Sequence, residues 1–256
     1  MIPDQLIGVI FAAVSICILA YLFRTGKFTR KIGYIFLVLA TILGFLVFSP
    51  MFPVQMQMLI LGQKIAGVPF MLPIILMGAF VAFALVLGRA FCGYLCPIGA
   101  VQELAFSIPG KKYLNGHKKI TMTARALFLV AILAVAIFMS IGLLNILGAG
   151  SFFKAEYLAI SFWIFVGTIL ASIFVYRPFC RIACPYGAIL SLASFKSAFK
   201  IRRNDRCIDC GKCEKVCPTG EAGRNDGKAE CYMCNRCVEV CPVDGLEYSR
   251  GRRPEK

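Results

Sequence analysis

The chemistry of this chain rests on cysteine. Thirteen cysteines occur in 256 residues, and eight fall in two runs of identical spacing near the C-terminus. Cys207, Cys210, Cys213 and Cys217 are followed by Pro218; Cys231, Cys234, Cys237 and Cys241 are followed by Pro242. Each run reads C-x2-C-x2-C-x3-C-P, the spacing of bacterial two-cluster ferredoxins, in which three closely spaced thiolates wrap one cubane and the fourth ligates the other. That rule assigns Cys207, Cys210, Cys213 and Cys241 to one [4Fe-4S] cluster, and Cys231, Cys234, Cys237 and Cys217 to a second. Zinc sites pair C-x2-C units across a longer insert. The expected chemistry is therefore electron transfer.

Four further cysteines form an internal repeat. Gly88–Gly99 reads GRAFCGYLCPIG and Tyr176–Gly187 reads YRPFCRIACPYG. Each copy has an arginine, then Phe-Cys-x3-Cys-Pro-x-Gly-Ala, and runs on into an amphipathic stretch, Ala100–Ser107 or Ala188–Phe199. Were each segment helical, its two cysteines at i and i+4 would share a face. Cys92, Cys96, Cys180 and Cys184 leave three readings open. They form a third iron–sulfur site across a pseudo-two-fold axis, or two redox-active dithiols, or they serve packing and turn geometry alone. Arg89 and Arg177 are expected to lower the thiol pKa values or to snorkel at a membrane surface. Gly99 and Gly187 permit close backbone approach. Cys17 is expected to be a small packed residue.

The elements that must position these residues are apolar. Hydrophobic residues make up 59% of the chain and charged ones 16%, outside the range of ordinary soluble domains. Five runs are long enough for a bilayer core of about 30 Å: Leu6–Phe23, Ile32–Phe48, Phe70–Leu87, Ala126–Leu147 and Leu158–Val175. Ser49–Pro69, broken by prolines, glutamines and Lys64, reads as an outer loop or re-entrant segment. The net charge is +15, and with five spans 26 of the 28 Lys and Arg fall on one side, leaving Lys64 and Lys154 on the other. The positive-inside rule places the N-terminus outside and the C-terminus in the cytoplasm of a multi-pass cell-membrane protein. This distribution explains the basic charge without nucleic acid, and a reducing cytoplasm argues against a disulfide framework. The first run lacks the basic flank and cleavage site of a signal peptide and reads as a retained anchor. The expected fold is an all-α polytopic membrane domain of about five helices over residues 1–199, with repeats at 88–107 and 176–199. A small α+β two-cluster ferredoxin-like domain follows over 200–256.

Together, the apolar spans, the two C-x3-C-P repeats and the C-terminal two-cluster domain resemble the NapH family of membrane iron–sulfur subunits. The resemblance runs from about Phe70 to Glu247, and the NosR and CcoG membrane ferredoxins share these elements. It implies a quinol dehydrogenase component that delivers electrons to a partner reductase or redox protein, with the lipid bilayer, quinone and that protein as partners. The alternative is a membrane iron–sulfur protein of metal-centre assembly or redox regulation, a metal reductase. The chain carries no large flavin domain of the NosR kind, and Pro242–Lys256 leaves little room for a further CcoG-like domain. A single histidine, His117, excludes a bis-histidine haem. Gln55, Gln57, Glu156, Tyr157 and Trp163 are polar or amphipathic residues near the outer face, read as interface anchors, and they do not define a quinone pocket.

Overall fold

The computed structural model describes residues 4–47, 52–62, 71–113, 118–139 and 143–250; His117 and Lys64 lie outside them. The apolar runs form helices α1 (Asp4–Arg24), α2 (Arg30–Val47), α4 (Met71–Leu87), α7 (Lys118–Met139) and α10 (Ile160–Phe174). The segment read as an outer loop or re-entrant segment contains a short helix, α3 (Phe52–Ile60). Two short helices, α8 (Leu143–Ile146) and α9 (Ala149–Phe153), precede α10, and Gln57 of α3 accepts a hydrogen bond from the Leu144 backbone N–H.

The fourth apolar run departs most from expectation. Its helix begins at Lys118 and ends at Met139, whereas hydropathy alone starts it at Ala126. The charged first turns are helical because Arg125 turns inward to a carboxylate rather than outward to water. Among the described residues only α7, over Lys118–Ala136, is by itself long and apolar enough to cross a membrane. The 17 residues of α4 reach about 25 Å and the 15 of α10 about 22 Å, short of a ~30 Å core. Five helices are thus present, whereas five complete spans are not demonstrated.

Each long helix has one buried side. On α1, Ala12, Ser15, Leu19 and Phe23 face the core, while Ile10, Val14, Ile18 and Tyr21 are exposed. Cys17 lies on that exposed side, not packed as expected. Comparable exposed apolar residues continue around the bundle, including Ile35 and Leu46 on α2, Leu127 and Phe138 on α7, and Ile160 and Leu170 on α10.

The internal repeat is larger than its cysteine motif. Its period is 88 residues, from 89 to 177, 92 to 180 and 96 to 184. The same offset carries α2 onto α7, α4 onto α10, and α6 (Pro97–Ser107) onto α11 (Pro185–Phe195). The halves interlock: α6 packs on α2 of its own half and α10 of the other, and α11 packs on α7 of its own half and α4 of the other. Beyond α11 the chain forms β1 (Phe199–Arg203), two cysteine-bearing loops with the short helices α12 (Lys212–Val216) and α13 (Arg236–Glu239), and β2 (Leu246–Arg250). The strands pair antiparallel, with Phe199 opposite Arg250 and Ile201 opposite Tyr248. This unit sits on the α6/α11 end of the bundle.

Candidate functional site

Proline dictates the local shape of both C-x3-C-P motifs. A residue before proline is pushed out of the helical region, and proline is favoured at the first position of the next helix. Cys92 therefore lies in a one-turn helix, α5 (Ala90–Tyr94), whereas Cys96 is extended (φ −73°, ψ 118°) and caps α6 ahead of Pro97. Cys180 lies in a wide turn, Phe179–Ala183, and Cys184 (φ −82°, ψ 109°) caps α11 ahead of Pro185. Both turns close with an i→i+5 bond, Cys96 N–H to Phe91 O at 3.1 Å and Cys184 N–H to Phe179 O at 3.0 Å. The expected shared helix face does not form, since the second cysteine of each motif has already left the first helix.

The four thiols meet where the halves interlock. All are buried, and Cys96 is within electrostatic reach of Cys92, Cys180 and Cys184. The glycines make the approach. A β-carbon on Gly99 would lie 2.6 Å from the Cys92 carbonyl oxygen and 3.1 Å from Nη1 of Arg177. One on Gly187 would lie 3.1 Å from Nη2 of Arg89 and 3.3 Å from Sγ of Cys184. Each half thus receives the other half's arginine. Gln102 donates to Sγ of Cys180 at 3.4 Å and the Gly187 N–H to Sγ of Cys184 at 3.2 Å. Burial pushes the Cys180 thiol up to about 11, although Arg177 draws it down.

Arg89 and Arg177 neither snorkel nor stay free; both are 1% exposed. Arg177, held in the left-handed region at φ +47°, reaches Glu103 at 2.8 Å, the Gly93 carbonyl at 2.7 Å and the Cys92 carbonyl. Glu103 also pairs with Arg236 at 2.5 Å. Arg89 reaches Glu230 at 2.9 Å and Ser191 at 3.1 Å, and Arg125 reaches the same carboxylate at 2.5 Å. Burial raises the Glu230 pKa, but Arg89 and Arg125 outweigh it and hold the group down at about 2. Burial likewise works against the Glu103 carboxylate, and Arg177 and Arg236 keep it below its ordinary value. Sequence reasoning missed Glu103, Arg125, Glu230 and Tyr232. The available signal was scarcity, because only 13 acidic residues exist and one directly precedes Cys231.

The eight C-terminal cysteines separate into two sets. Cys217, Cys231, Cys234 and Cys237 line an inner cavity. Cys207, Cys210, Cys213 and Cys241 line an outer one. The fourth cysteine of each run therefore sits at the other run's cavity. Equivalent backbone twists shape the loops, with left-handed Asp209 and Met233, and left-handed Gly211 and Asn235, each pair 24 residues apart. N–H groups reach the crossing sulfurs at the same offset, Glu221 to Cys217 at 3.2 Å and Gly245 to Cys241 at 3.1 Å. Burial pushes the Cys231 thiol up to about 12, with Cys217 and Cys234 adding to the shift. Among the described residues, no three His, Cys, Asp or Glu side chains close on a point as ligands of one ion would. Cavities lined by four sulfur donors, with N–H groups directed at the sulfurs, fit a multi-iron cluster.

The two ends of the site touch. A β-carbon on Gly93 would lie 2.4 Å from the Tyr232 carbonyl oxygen, and the Tyr94 hydroxyl donates to the Met233 carbonyl at 2.9 Å. The Tyr232 ring lies between the guanidinium groups of Arg89 at 4.3 Å and Arg177 at 4.8 Å. In the second half Arg181 reaches the Pro218 carbonyl at 3.3 Å, next to Cys217. Both C-x3-C-P loops thus abut the inner cavity, while Cys210 of the outer one is exposed.

Two family models match, a 4Fe-4S binding domain over residues 69–115 and a 4Fe-4S dicluster domain over residues 178–221. Among curated relatives, the ferredoxin-type protein NapH of Haemophilus influenzae is 28% identical, over 65% of this chain and 61% of its own. This chain is similar to the NapH-type ferredoxin proteins. The chain is also similar to the methylamine utilization ferredoxin-type protein MauN of Methylorubrum extorquens, 29% identical over 69% of this chain and 62% of that one. The putative electron transport protein YccM of Escherichia coli is 34% identical over 57% of this chain and 45% of its own length. The chain therefore spans about half to three-fifths of these relatives. No solved structure matches it. Both matched segments are of the 4Fe-4S-binding kind.

Proposed function

We propose that this protein is a membrane-bound electron carrier that exchanges electrons between the quinone pool and a partner redox protein. The observation that carries the reading is the crossed arrangement of the eight cysteines about two cavities. Cys217, Cys231, Cys234 and Cys237 would hold the inner [4Fe-4S] cluster, and Cys207, Cys210, Cys213 and Cys241 the outer. Such clusters supply one-electron transfer at potentials tuned by burial and by hydrogen bonds to sulfur. The protein's part is to fix both sites. Glu221 and Gly245 N–H groups orient the crossing thiolates, and Arg203 braces the outer loop through Asp209 at 2.9 Å. The inner site abuts the bundle and the outer one is open at Cys210, which gives the path a membrane end and a soluble end.

The exposed apolar sides of α1, α2, α4, α7 and α10 support lipid as the surrounding medium. Five spans, with the cysteine-rich end in the cytoplasm, agree with the placement of lysine and arginine. Burial of Cys92, Cys96, Cys180 and Cys184 argues against handing a metal ion to another protein. The test is anaerobic purification in detergent, with iron and acid-labile sulfide per chain and spectra before and after a menaquinol analogue. At least about eight irons per chain, by the two-cluster assignment, with bleaching by the quinol, is expected. A chain with that iron whose spectrum ignores both quinol and quinone would overturn the quinone link.

A further inference from the structure

Two buried triads flank the four C-x3-C-P thiols. In one, Arg89 and Arg125 share Glu230; in the other, Arg177 and Arg236 share Glu103. Arginine stays protonated in proteins, and each carboxylate sits in ion-pair contact with two guanidinium groups, at 2.5–2.9 Å. Each triad by itself carries one net positive charge; in the second, Arg236 also faces Cys234 of the inner set, whereas the Arg89 triad has no further anion among the described residues. Uncompensated charge in a buried place is costly. Arg89 adds a second, independent sign, because its Nε and Nη2 are fully buried with no hydrogen-bond partner. Nη2 lies beside Gly187, where Sγ of Cys184 and the Cys180 carbonyl converge.

We infer that Cys92, Cys96, Cys180 and Cys184 hold a third [4Fe-4S] cluster as four thiolates, a group of total charge −2 set between the two arginine–glutamate–arginine triads. Neutral dithiols or two disulfides would leave the net charge of the Arg89 triad and the Arg89 N–H groups without partners. An all-thiolate centre satisfies both at once. The four cysteines come from corresponding positions of two interlocked halves, which gives the symmetric donor set a cubane takes. Binding requires four thiols to lose their protons and the cluster to arrive assembled. The redox step is then gain or loss of one electron, with no bond made or broken. The electron's neighbour is the inner cluster, across the Gly93–Tyr232 contact, and in this respect the inference rests on the iron–sulfur reading above.

The experiment is metal analysis with redox-monitored EPR on intact, anaerobically purified protein and on C92S, C180S, R89Q and R89K. About twelve irons per chain are expected, counting four per cluster. C92S and C180S should each lose about four of them while the two ferredoxin signals remain. R89Q, which removes a positive charge, should retain the ferredoxin signals and shift the midpoint potential of the third centre downward, with R89K restoring it. Unchanged iron in both cysteine variants, with the thiols found free or in disulfides, would overturn the inference. Zinc in place of the extra iron would overturn it too. Either result would leave about eight irons and the ferredoxin signals in place. Absence of those signals would instead remove the ferredoxin reading on which the electron's path depends.

Discussion

The two C-x3-C-P halves follow the same backbone and differ in where their counter-charge comes from. Position 103 of the first half is glutamate; the equivalent position 191 of the second is serine. The first half therefore carries its own carboxylate, which pairs across the axis with Arg177 and is held by Arg236 of the ferredoxin unit. The second half has only a hydroxyl, and the ferredoxin unit supplies Glu230 to complete it. A duplicated pair has become asymmetric by lending one side of its electrostatics to a docked domain. The bundle end and the C-terminal unit are consequently one electrostatic object.

The sharpest way to break this comparison is to remove each carboxylate. Glu230→Gln leaves Arg89 and Arg125 buried without an anion and should cost about 3–5 kcal/mol, read as a loss of thermal stability in detergent. Glu103→Gln should cost less, because Arg236 keeps partial access to solvent, its side chain being 12% exposed against 3% for Arg125. Equal losses would mean that the asymmetry carries no energetic weight. Next in size is Gly93→Ala, whose β-carbon meets backbone at Tyr232. About 1–3 kcal/mol of strain is expected, together with weaker magnetic interaction between the bundle-end and inner centres. Arg181→Ala, at the equivalent position of the second half, should leave that interaction nearly intact.

Acid offers a graded version of the first test. Glu230 has a folded pKa depressed to about 2, so its contribution is complete above the ordinary carboxylate value of about 4.3 and lost as pH falls through the folded value. The stability of the wild-type protein should fall with acidification through that window, and Glu230→Gln should flatten this part of the profile. An unchanged slope in the variant would contradict the ion-pair account. The smallest effect belongs to Tyr232→Phe. The hydroxyl has no partner, so stability should change by less than about 1 kcal/mol, whereas Tyr232→Leu removes the ring clamped by two arginines and should cost more.

The division of the eight C-terminal cysteines between two cavities, with Cys217 and Cys241 crossing, is legible from their spacing. The repeat was legible only at its motif; the matching of α2 to α7 and α4 to α10 was hidden because apolar spans share hydropathy rather than residue identity. The charge triads were illegible for a different reason. Arg89 and Glu230 lie 141 residues apart, and no local period links them. Arg125 falls just outside the apolar run that starts at Ala126, because hydropathy registers its charge and not its buried partner. The extended Cys96 and Cys184 could have been read from the proline that follows each, had the pre-proline restriction been weighed above the i, i+4 spacing.

The central claim is the crossed division of the eight cysteines, and the most direct test is EPR of the reduced protein with single ligands replaced. Cys217→Ser should alter the same cluster signal as Cys231→Ser, leaving untouched the signal that Cys207→Ser alters. If Cys217→Ser instead reproduces the Cys207→Ser spectrum, each run binds its own cluster and the account is wrong at its base.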